Sequence, residues 1–337
     1  MEYRTLGRSG IQVSALAMGC WAIGGGSGWG DQDERLSIAA VHAALDRGIN
    51  FFDTAEAYGD GRSEEVLGQA LAGHRDQAVI ATKVSPDHTR PAELRSYCEA
   101  SLRRLQTDAI DLYMIHWPVT THPIGDALAT MQELKAEGKV RAIGLSNFGP
   151  QQLGAALGAG AAAAGVQIDA NQVCYNLLCR AVEVEVLPLC RQHGVSMTAY
   201  MPLFQGILAG KYRTADEVPP FRARTRHFRG DRPQARHGET GLEAETFAVL
   251  DAVRAIAVGL GQPMANVALA WAMAREGVAS VLAGARSPEQ VERNVQAAAL
   301  SLSPEVIARL DQATEALKHK LGPNIDYWQG SRNSRSR

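Results

Sequence analysis

The sequence predicts a closed (β/α)8 TIM barrel, and three observations carry that reading. Short, continuously apolar segments alternate with helix-patterned segments until eight strand positions are filled; strands of that kind suit a parallel sheet covered on both faces. Polar residues follow the apolar segments at their C-terminal ends, where a barrel gathers its chemistry at one mouth. The glycine-rich stretch CWAIGGGSGWG lacks the GxGxxG spacing, leading directly into a helix, that an open dinucleotide-binding sheet requires.

Taken in order, Tyr3 to Val13 reads as a hairpin around Gly-Arg-Ser-Gly, closing one end of the domain. Leu16 to Gly19 is the first inner strand, and the following loop carries Trp21 and Trp29, which either wall a pocket or simply pack. Asp33 to Arg47 has helical period and ends at Gly48. Strand Ile49 to Phe52, helix Ser63 to Leu71, strand Val79 to Thr82, helix Pro91 to Leu105 and strand Ile110 to Ile115 follow. Helix Ile124 to Glu137, strand Arg141 to Leu145 and helix Pro150 to Leu157 continue the alternation, the last extended or frayed by GAGAAAAG. Strand Val166 to Ala170, helix Ala181 to Gln192 and strand Val195 to Ala199 come next. Strand Ala279 to Ala283 and helix Pro288 to Ala299 complete the set. Residues 1–320 are thus expected to form a single barrel domain with an inserted loop at 211–240. That insertion is too long, basic and proline-bearing for an ordinary connection, and reads either as a lid or as a solvated excursion. Ser303 to Leu317 has the pattern of a helix, and 321–337 reads as a C-terminal tail whose Tyr327 and Trp328 either close a pocket or belong to a frayed or oligomer-forming end.

The composition limits what the barrel acts on. Lys plus Arg total 34 against 36 acidic residues, a formal charge of -2, which gives no electrostatic reason to expect nucleic acid or an anionic membrane as partner. Cys20, Cys98, Cys174, Cys179 and Cys190 form no CxxC pair and no metal-like cluster with histidine, so buried thiols in a reducing compartment are expected and no metal. The N-terminus has no apolar signal core and no run is long enough to span a bilayer, so a cytoplasmic location is expected.

The strand-end residues are Asp53 and Tyr58, Lys83, His116, Ser146 and Asn147, Asn171 and Gln172, and Tyr200. Each alone is weak, since a single histidine or lysine is ordinarily structural or solvated; their common placement raises the functional reading. An ammonium beside a phenol stabilises the phenolate, so Lys83 is expected to lower the pKa of Tyr58, and Asp53 to let that ammonium sit buried. His116 has the reach to orient a carbonyl or hydroxyl oxygen. The set suits proton transfer to an oxygen better than attack by a serine, for which no GxSxG elbow exists.

With these residues in view the chain is identified as resembling an aldo-keto reductase. YRTLGRSGIQVSALAMGCW, NFFDTAEAYGDGRSEEVLG, VIATK, RLQTDAIDLYMIHWP, GKVRAIGLSNF, AYMPLFQGILAGKY and GARSPEQVERN match the family in order, from about Tyr3 to Leu310. The wording PLFQGILAGKY and the RTRHF stretch resemble the bacterial branch that includes inositol-associated and general-stress reductases. The resemblance implies a barrel that binds an extended nicotinamide dinucleotide without a Rossmann domain. It implies a catalytic set of Asp53, Tyr58, Lys83 and His116, and a carboxamide clamp of Ser146, Asn147 and Gln172 with Tyr200 stacked on the nicotinamide. It further implies a pyrophosphate loop of Pro202, Leu203, Gln205, Gly206, Leu208 and Lys211. Gly284, Arg286, Gln290 and Asn294 match the adenosine end, where a guanidinium and a helix N-terminus can hold a 2'-phosphate. One departure is Arg293, which follows Glu292 where the family often has a second acidic residue.

The expected activity is therefore NADP(H)-dependent reduction of an aldehyde or ketone, reversible toward the alcohol, with NAD(H) as the competing cofactor and a small-molecule carbonyl or alcohol as substrate. Two other readings are carried: a non-catalytic nicotinamide-sensing barrel, like the channel subunits of the same family, and a Schiff-base aldolase using Lys83. The arginines of the 211–240 insertion, which carries Phe221, Arg222, Arg224, Arg226, His227 and Phe228, either recognise an anionic substrate or clamp the cofactor phosphates; the cofactor role is the expected one, with the loop ordering when NADPH binds.

Overall fold

The computed structural model describes residues 1–26, 29–162 and 165–337. Ser27 and Gly28 of the glycine-rich loop, and Ala163 and Ala164 of the expected helix extension, lie outside the described residues.

A two-stranded antiparallel hairpin, β1 (Tyr3–Thr5) and β2 (Gln12–Ser14), precedes the barrel. The barrel strands are β3 (Leu16–Gly19), β4 (Phe51–Asp53), β5 (Val79–Val84), β6 (Ile110–Ile115), β7 (Val140–Ser146), β8 (Ile168–Cys174), β9 (Ser196–Tyr200) and β10 (Val278–Gly284). They pair in parallel in sequence order, and β10 closes on β3 through Val281 opposite Leu16 and Gly284 opposite Gly19. Helices α1 (Glu34–Asp46), α2 (Arg62–Ala70), α3 (Pro91–Leu105), α4 (Ile124–Ala136), α5 (Pro150–Ala162), α6 (Val186–His193), α7 (Glu243–Gly259), α8 (Met264–Met273), α9 (Pro288–Ala298) and α10 (Pro304–Leu321) complete the chain. The predicted fold class is the one observed.

Two apolar layers result from the period-2 alternation of the strands. Alternate residues such as Phe51, Val79, Ala81, Leu112, Met114, Ala142 and Ala170 fill the barrel interior, and Leu6, Ile11 and Val13 of the hairpin plug its lower end. The intervening residues, Phe52, Ile80, Tyr113, Ile115, Ile143 and Leu145 among them, face outward into the shell between strands and helices. The local start and stop signals act as read: the Asp33 side chain accepts a hydrogen bond from the Arg35 amide at the start of α1, and Gly48 beyond its end has φ of 76°.

Three element assignments differ from the sequence reading. The segment expected as one helix over Ala181–Gln192 is a short 3-10 turn, Ala181–Glu183, followed by α6. The sixth barrel strand starts at Ile168 and runs to Cys174, past the expected Ala170. Helices α7 and α8 fill a stretch to which the sequence reading assigns nothing. The reason is visible in α8, where every residue but Ala265 is buried; a helix surrounded by protein has no polar stripe to mark its period. No helix among the described residues is long and apolar enough to cross a membrane.

Gly68 shows how closely the outer layer is packed. It lies mid-helix in α2, where alanine is intrinsically better by about 1 kcal/mol, but an added Cβ would sit 2.7 Å from the carbonyl oxygen of Arg104 and 2.7 Å from the carbonyl carbon of Leu105. Backbone at the end of α3 cannot yield as a flexible side chain would. Gly68→Ala should therefore lower the thermal midpoint despite the better helix former; an unchanged or raised midpoint in thermal denaturation would show that α2 and α3 separate freely.

Candidate active site

On β4, β5, β7 and β8 the inward parity runs from the core to the mouth. Phe51 leads to Asp53 on β4, Val79 and Ala81 to Lys83 on β5, Ala142 and Gly144 to Ser146 on β7, and Ala170 to Gln172 on β8. His116 continues Leu112 and Met114 one step past β6. Thus the same alternation that packs the barrel delivers its polar residues to one end. Asp53, Lys83, Ser146, Asn171, Gln172 and Tyr200 lie within the strands, at or near their last residues, rather than in the loops after them.

Lys83 is fully buried and Asp53 is 3 % exposed. The Lys83 ammonium has three donors, and each has a partner: Asp53 Oδ1 at 2.8 Å, the Thr54 carbonyl at 2.7 Å and the Tyr58 hydroxyl at 3.2 Å. The second oxygen of Asp53 accepts from Gln172 Nε2 at 2.7 Å. Burial works against the Lys83 charge, but Asp53 and Tyr58 overcome it and hold the lysine pKa above its ordinary value. The ammonium is therefore locked in its charged form.

For Tyr58 the balance corrects the sequence expectation. Lys83 does pull the phenol pKa down, yet burial is the larger influence and Asp53 adds to it, so the net direction is upward. The phenol is held protonated, with the ammonium already aimed at its oxygen. The half-buried His116 ring stands edge-on to Tyr58 at 5.6 Å between centroids. Burial, reinforced by Lys83, pushes the imidazole pKa well below 6.5, so the ring is neutral and keeps one N–H to offer an oxygen.

A second network adjoins the first. Asn147, in the left-handed region at φ of 65°, donates to the His116 carbonyl and to Ser146 Oγ, and its Oδ1 accepts from the Tyr200 hydroxyl at 2.6 Å. Ser146 Oγ donates to the Gln172 carbonyl. These residues form one connected group, but the Gln172 amide is turned to Asp53. Asn171 stays structural, its amide donating to the Phe148 carbonyl.

The turn after β9 holds Met201, Phe204, Gln205 and Gly206 at positive φ. Three of the four are not glycine, and such strain concentrates where a backbone must approach a ligand. An added Cβ on Gly206 would find Arg222 and Lys211 as its nearest neighbours, at 3.7 and 3.9 Å, so this turn is flanked by cations. Pro202 and Leu208 are buried, Leu203 and Gln205 half-buried and Lys211 exposed. At the other predicted cofactor end, Gln290 Oε1 accepts from the Arg286 amide and Asn294 donates to the Gly284 carbonyl. The Arg286 guanidinium is occupied: it donates to the Trp29 and Asp31 carbonyls at 2.9 and 2.7 Å and to the Gln32 side chain. In this arrangement it braces the loop after β3 rather than standing open to a phosphate.

The insertion is not a solvated excursion. Arg226 donates to Glu239 and to the Leu321 carbonyl, its amide donates to the Tyr327 carbonyl, and buried His227 is hydrogen-bonded to the Leu178 carbonyl. Thr225 to Phe228 are thus anchored to the barrel and the tail, while Lys211 and Arg222 stand beside Gly206 and Phe221 beside Trp21 and Trp29. The tail itself is docked. Asp326, fully buried, accepts from the Trp328 and Arg335 amides and from the Arg335 guanidinium, which lies 3.7 Å over the Trp117 ring. Trp328 stacks on Tyr200 at 6.3 Å and meets Trp117 edge-on at the same distance. Of these contacts only the aromatic residues were visible in the sequence; nothing local marked Asp326 as their anchor.

Taken together, the fold and this end-of-strand cluster define a parallel α/β barrel with a buried lysine-carboxylate-tyrosine centre. Residues 15–315 match the model of the aldo/keto reductase family, and the chain belongs to that family. It is 36 % identical over 307 residues to the aldo-keto reductase YhdN of Bacillus subtilis, covering 87 % of each chain. It is 35 % identical over 345 residues to the NADH-specific methylglyoxal reductase of Escherichia coli, covering 94 % of this chain and all of that one. Among solved structures it resembles the aldo-keto reductase of Klebsiella pneumoniae in complex with NADPH, with a TM-score of 0.73, 31 % identity and coverage of 100 % of this chain and 99 % of that one.

Removing the tail's anchor should expose the mouth. Asp326→Ala leaves the Arg335 side chain unpaired and two backbone amides without their acceptor, at a cost of about 2 kcal/mol or more. Limited trypsin digestion should then cut after Arg332 and Arg335 far faster than in the unaltered protein. Equal digestion rates would show that the tail is held by other contacts.

Proposed function

We propose that this chain is a nicotinamide-dependent carbonyl reductase, using NADP(H) and reducing aldehydes or ketones, in the bacterial branch its strand-end wording resembles. The observation that carries the proposal is the fully satisfied Lys83 ammonium, whose third hydrogen bond goes to the Tyr58 hydroxyl. A buried cation pointing at a phenol oxygen stabilises the phenolate left when the proton has gone.

The cofactor fits the residues present. The turn at Gly206, strained and flanked by Lys211 and Arg222, offers backbone and cations to a pyrophosphate. Asn147 and Ser146 offer side-chain polar groups to a carboxamide, and Tyr200 a ring face. Bound there, the nicotinamide supplies the hydride. The protein's own part is to deliver a proton: Tyr58 gives it to the carbonyl oxygen, Lys83 holds the resulting negative charge, and Asp53, itself held by Gln172, keeps Lys83 charged in a buried place. Neutral His116 donates its N–H to the same oxygen and orients the substrate. The K. pneumoniae relative, solved with NADPH, supports NADP(H). The E. coli relative, named as NADH-specific, and the engaged Arg286 side chain make NAD(H) the competitor.

A Schiff-base role for Lys83 is disfavoured by the same geometry, since a lysine with all three protons committed and a raised pKa has no free lone pair.

Tyr58→Phe removes the proton donor and leaves the ring. It should bind NADPH with little change yet lower kcat for aldehyde reduction by about a hundredfold or more, followed by loss of absorbance at the nicotinamide band. Turnover within a few-fold of the unaltered enzyme would remove Tyr58 from the chemistry.

The pKa directions set an expected pH profile. Because the Tyr58 pKa is raised, the donor stays protonated as pH climbs and is lost only above its ordinary value of about 10. The neutral form of His116 persists below its ordinary value of about 6.5. The plot of kcat/KM for reduction should therefore be flat between about pH 7 and about pH 9. An alkaline limb inside that window would mean that Lys83 outweighs burial at Tyr58.

A further inference from the structure

The basic residues of the 211–240 insertion divide into two groups. Arg226, Arg229 and Arg232 are each paired with a carboxylate, Glu239, Asp231 and Glu243 respectively. Arg224 has no ion pair and no hydrogen bond among the described residues, and its Nε is buried without a partner. Burial depresses the Arg224 pKa, and a second arginine, Arg236, acts in the same direction. A half-buried guanidinium with a cationic neighbour and no carboxylate is costly to keep.

The position of Arg224 says what would relieve that cost. Its guanidinium lies 4.3 Å over the Phe221 ring. Phe221 contacts both Trp21 and Trp29 at 6.4 Å, and Trp21 contacts the Tyr58 ring at 5.9 Å. All four rings are half-buried, so none is sealed in the core. The indole N–H of Trp29 is a second buried donor without a partner among the described residues. An aromatic wall therefore begins at the proton donor and ends at two unused donors, one of them cationic. By contrast Lys211 and Arg222 stand beside Gly206 at the turn after β9, on the side assigned to the cofactor.

We propose that Arg224 binds a carboxylate on the substrate, so that the preferred substrates are aldehydes or ketones whose carbonyl and carboxylate are separated by a flat, apolar body lying along Trp21 and Phe221. The planar fork of a guanidinium matches a carboxylate in two parallel hydrogen bonds. The inference rests on the reductase reading and assigns its substrate class.

The probes are 4-carboxybenzaldehyde and its neutral methyl ester, assayed with NADPH and with NADH. The unaltered enzyme should favour the acid in kcat/KM, chiefly through KM. In Arg224→Gln the acid-to-ester ratio should fall by about tenfold or more, and in Arg224→Lys it should fall by less, since charge survives but the fork does not. NADPH affinity, titrated by fluorescence, should stay within about twofold in both variants, which also reports that they fold. Lys211→Ala should show the reverse pattern, with weakened NADPH binding and an unaltered ratio. An unaltered enzyme that reduces the ester as well as the acid, or an Arg224→Gln variant that keeps the ratio or loses NADPH affinity instead, overturns the inference and leaves the reductase reading standing. An unaltered enzyme that reduces neither probe nor any other aldehyde with either cofactor overturns both.

Discussion

A charged lysine buried to zero exposure is the constraint on which the rest of the site depends. An ammonium in that position is tolerable only when every proton is spoken for, and here the three acceptors come from three different kinds of structure. Asp53 is the last residue of a strand, the Thr54 carbonyl belongs to backbone just past it, and the Tyr58 hydroxyl is carried by a loop. Asp53 and Thr54 are fixed by the sheet, the latter through its amide to the Ala81 carbonyl. Both Asp53 oxygens accept hydrogen bonds, so of the three acceptors the Tyr58 hydroxyl is the one that brings a proton of its own. Satisfying the lysine and pointing it at a proton donor are a single geometric act.

That act needs a rigid support, and the closed sheet supplies it. Asp53 sits opposite Ala81 across β4 and β5, and Gln172 opposite Ser146 across β7 and β8. A slip of one residue in any of these pairings would turn the polar end of the strand into the helix layer and bring an apolar neighbour inward. The apolar interior below makes such a slip prohibitive, because the same slip would expose Phe51 or Leu112 to the wrong layer. The core and the site therefore enforce one register.

How much was legible in the sequence follows from the range of each interaction. Continuous apolar strands report burial on both faces, so the barrel and the mouth-facing identities of Asp53, Lys83, His116 and Tyr200 could be read directly. Choices between partners could not. Gln172 matches a position associated with the cofactor, yet its amide is drawn to the free oxygen of Asp53. Arg286 matches a phosphate-binding position, yet carbonyls at Trp29 and Asp31 reach it first. A motif states which residue type stands at a place and is silent on competing acceptors elsewhere in the chain. The Thr54 carbonyl is invisible for a deeper reason, since every residue has one. The direction of the Tyr58 pKa needed the structure because it is a difference between burial and charge, and sequence names only the charge.

The insertion shows the same limit and also how structure resolves it. As a string of letters, FRARTRHFRGDR is a uniform basic stretch, and one role for all its cations is the economical reading. In the folded chain the arginines alternate between duties, because successive residues of an irregular segment face different ways. Arg226 and Arg232 turn inward to Glu239 and Glu243 and hold the segment to the tail and α7. Arg222 and Arg224 take no carboxylate among the described residues, one donating to the Tyr212 hydroxyl and the other lying over the Phe221 ring. The anchored arginines make the unanchored ones informative: a segment held this firmly does not leave Arg224 unpaired through disorder, and the surrounding acidic residues are near enough to pair with its neighbours. Arg224 instead lies over the Phe221 ring, and Phe221 joins through Trp21 to Tyr58.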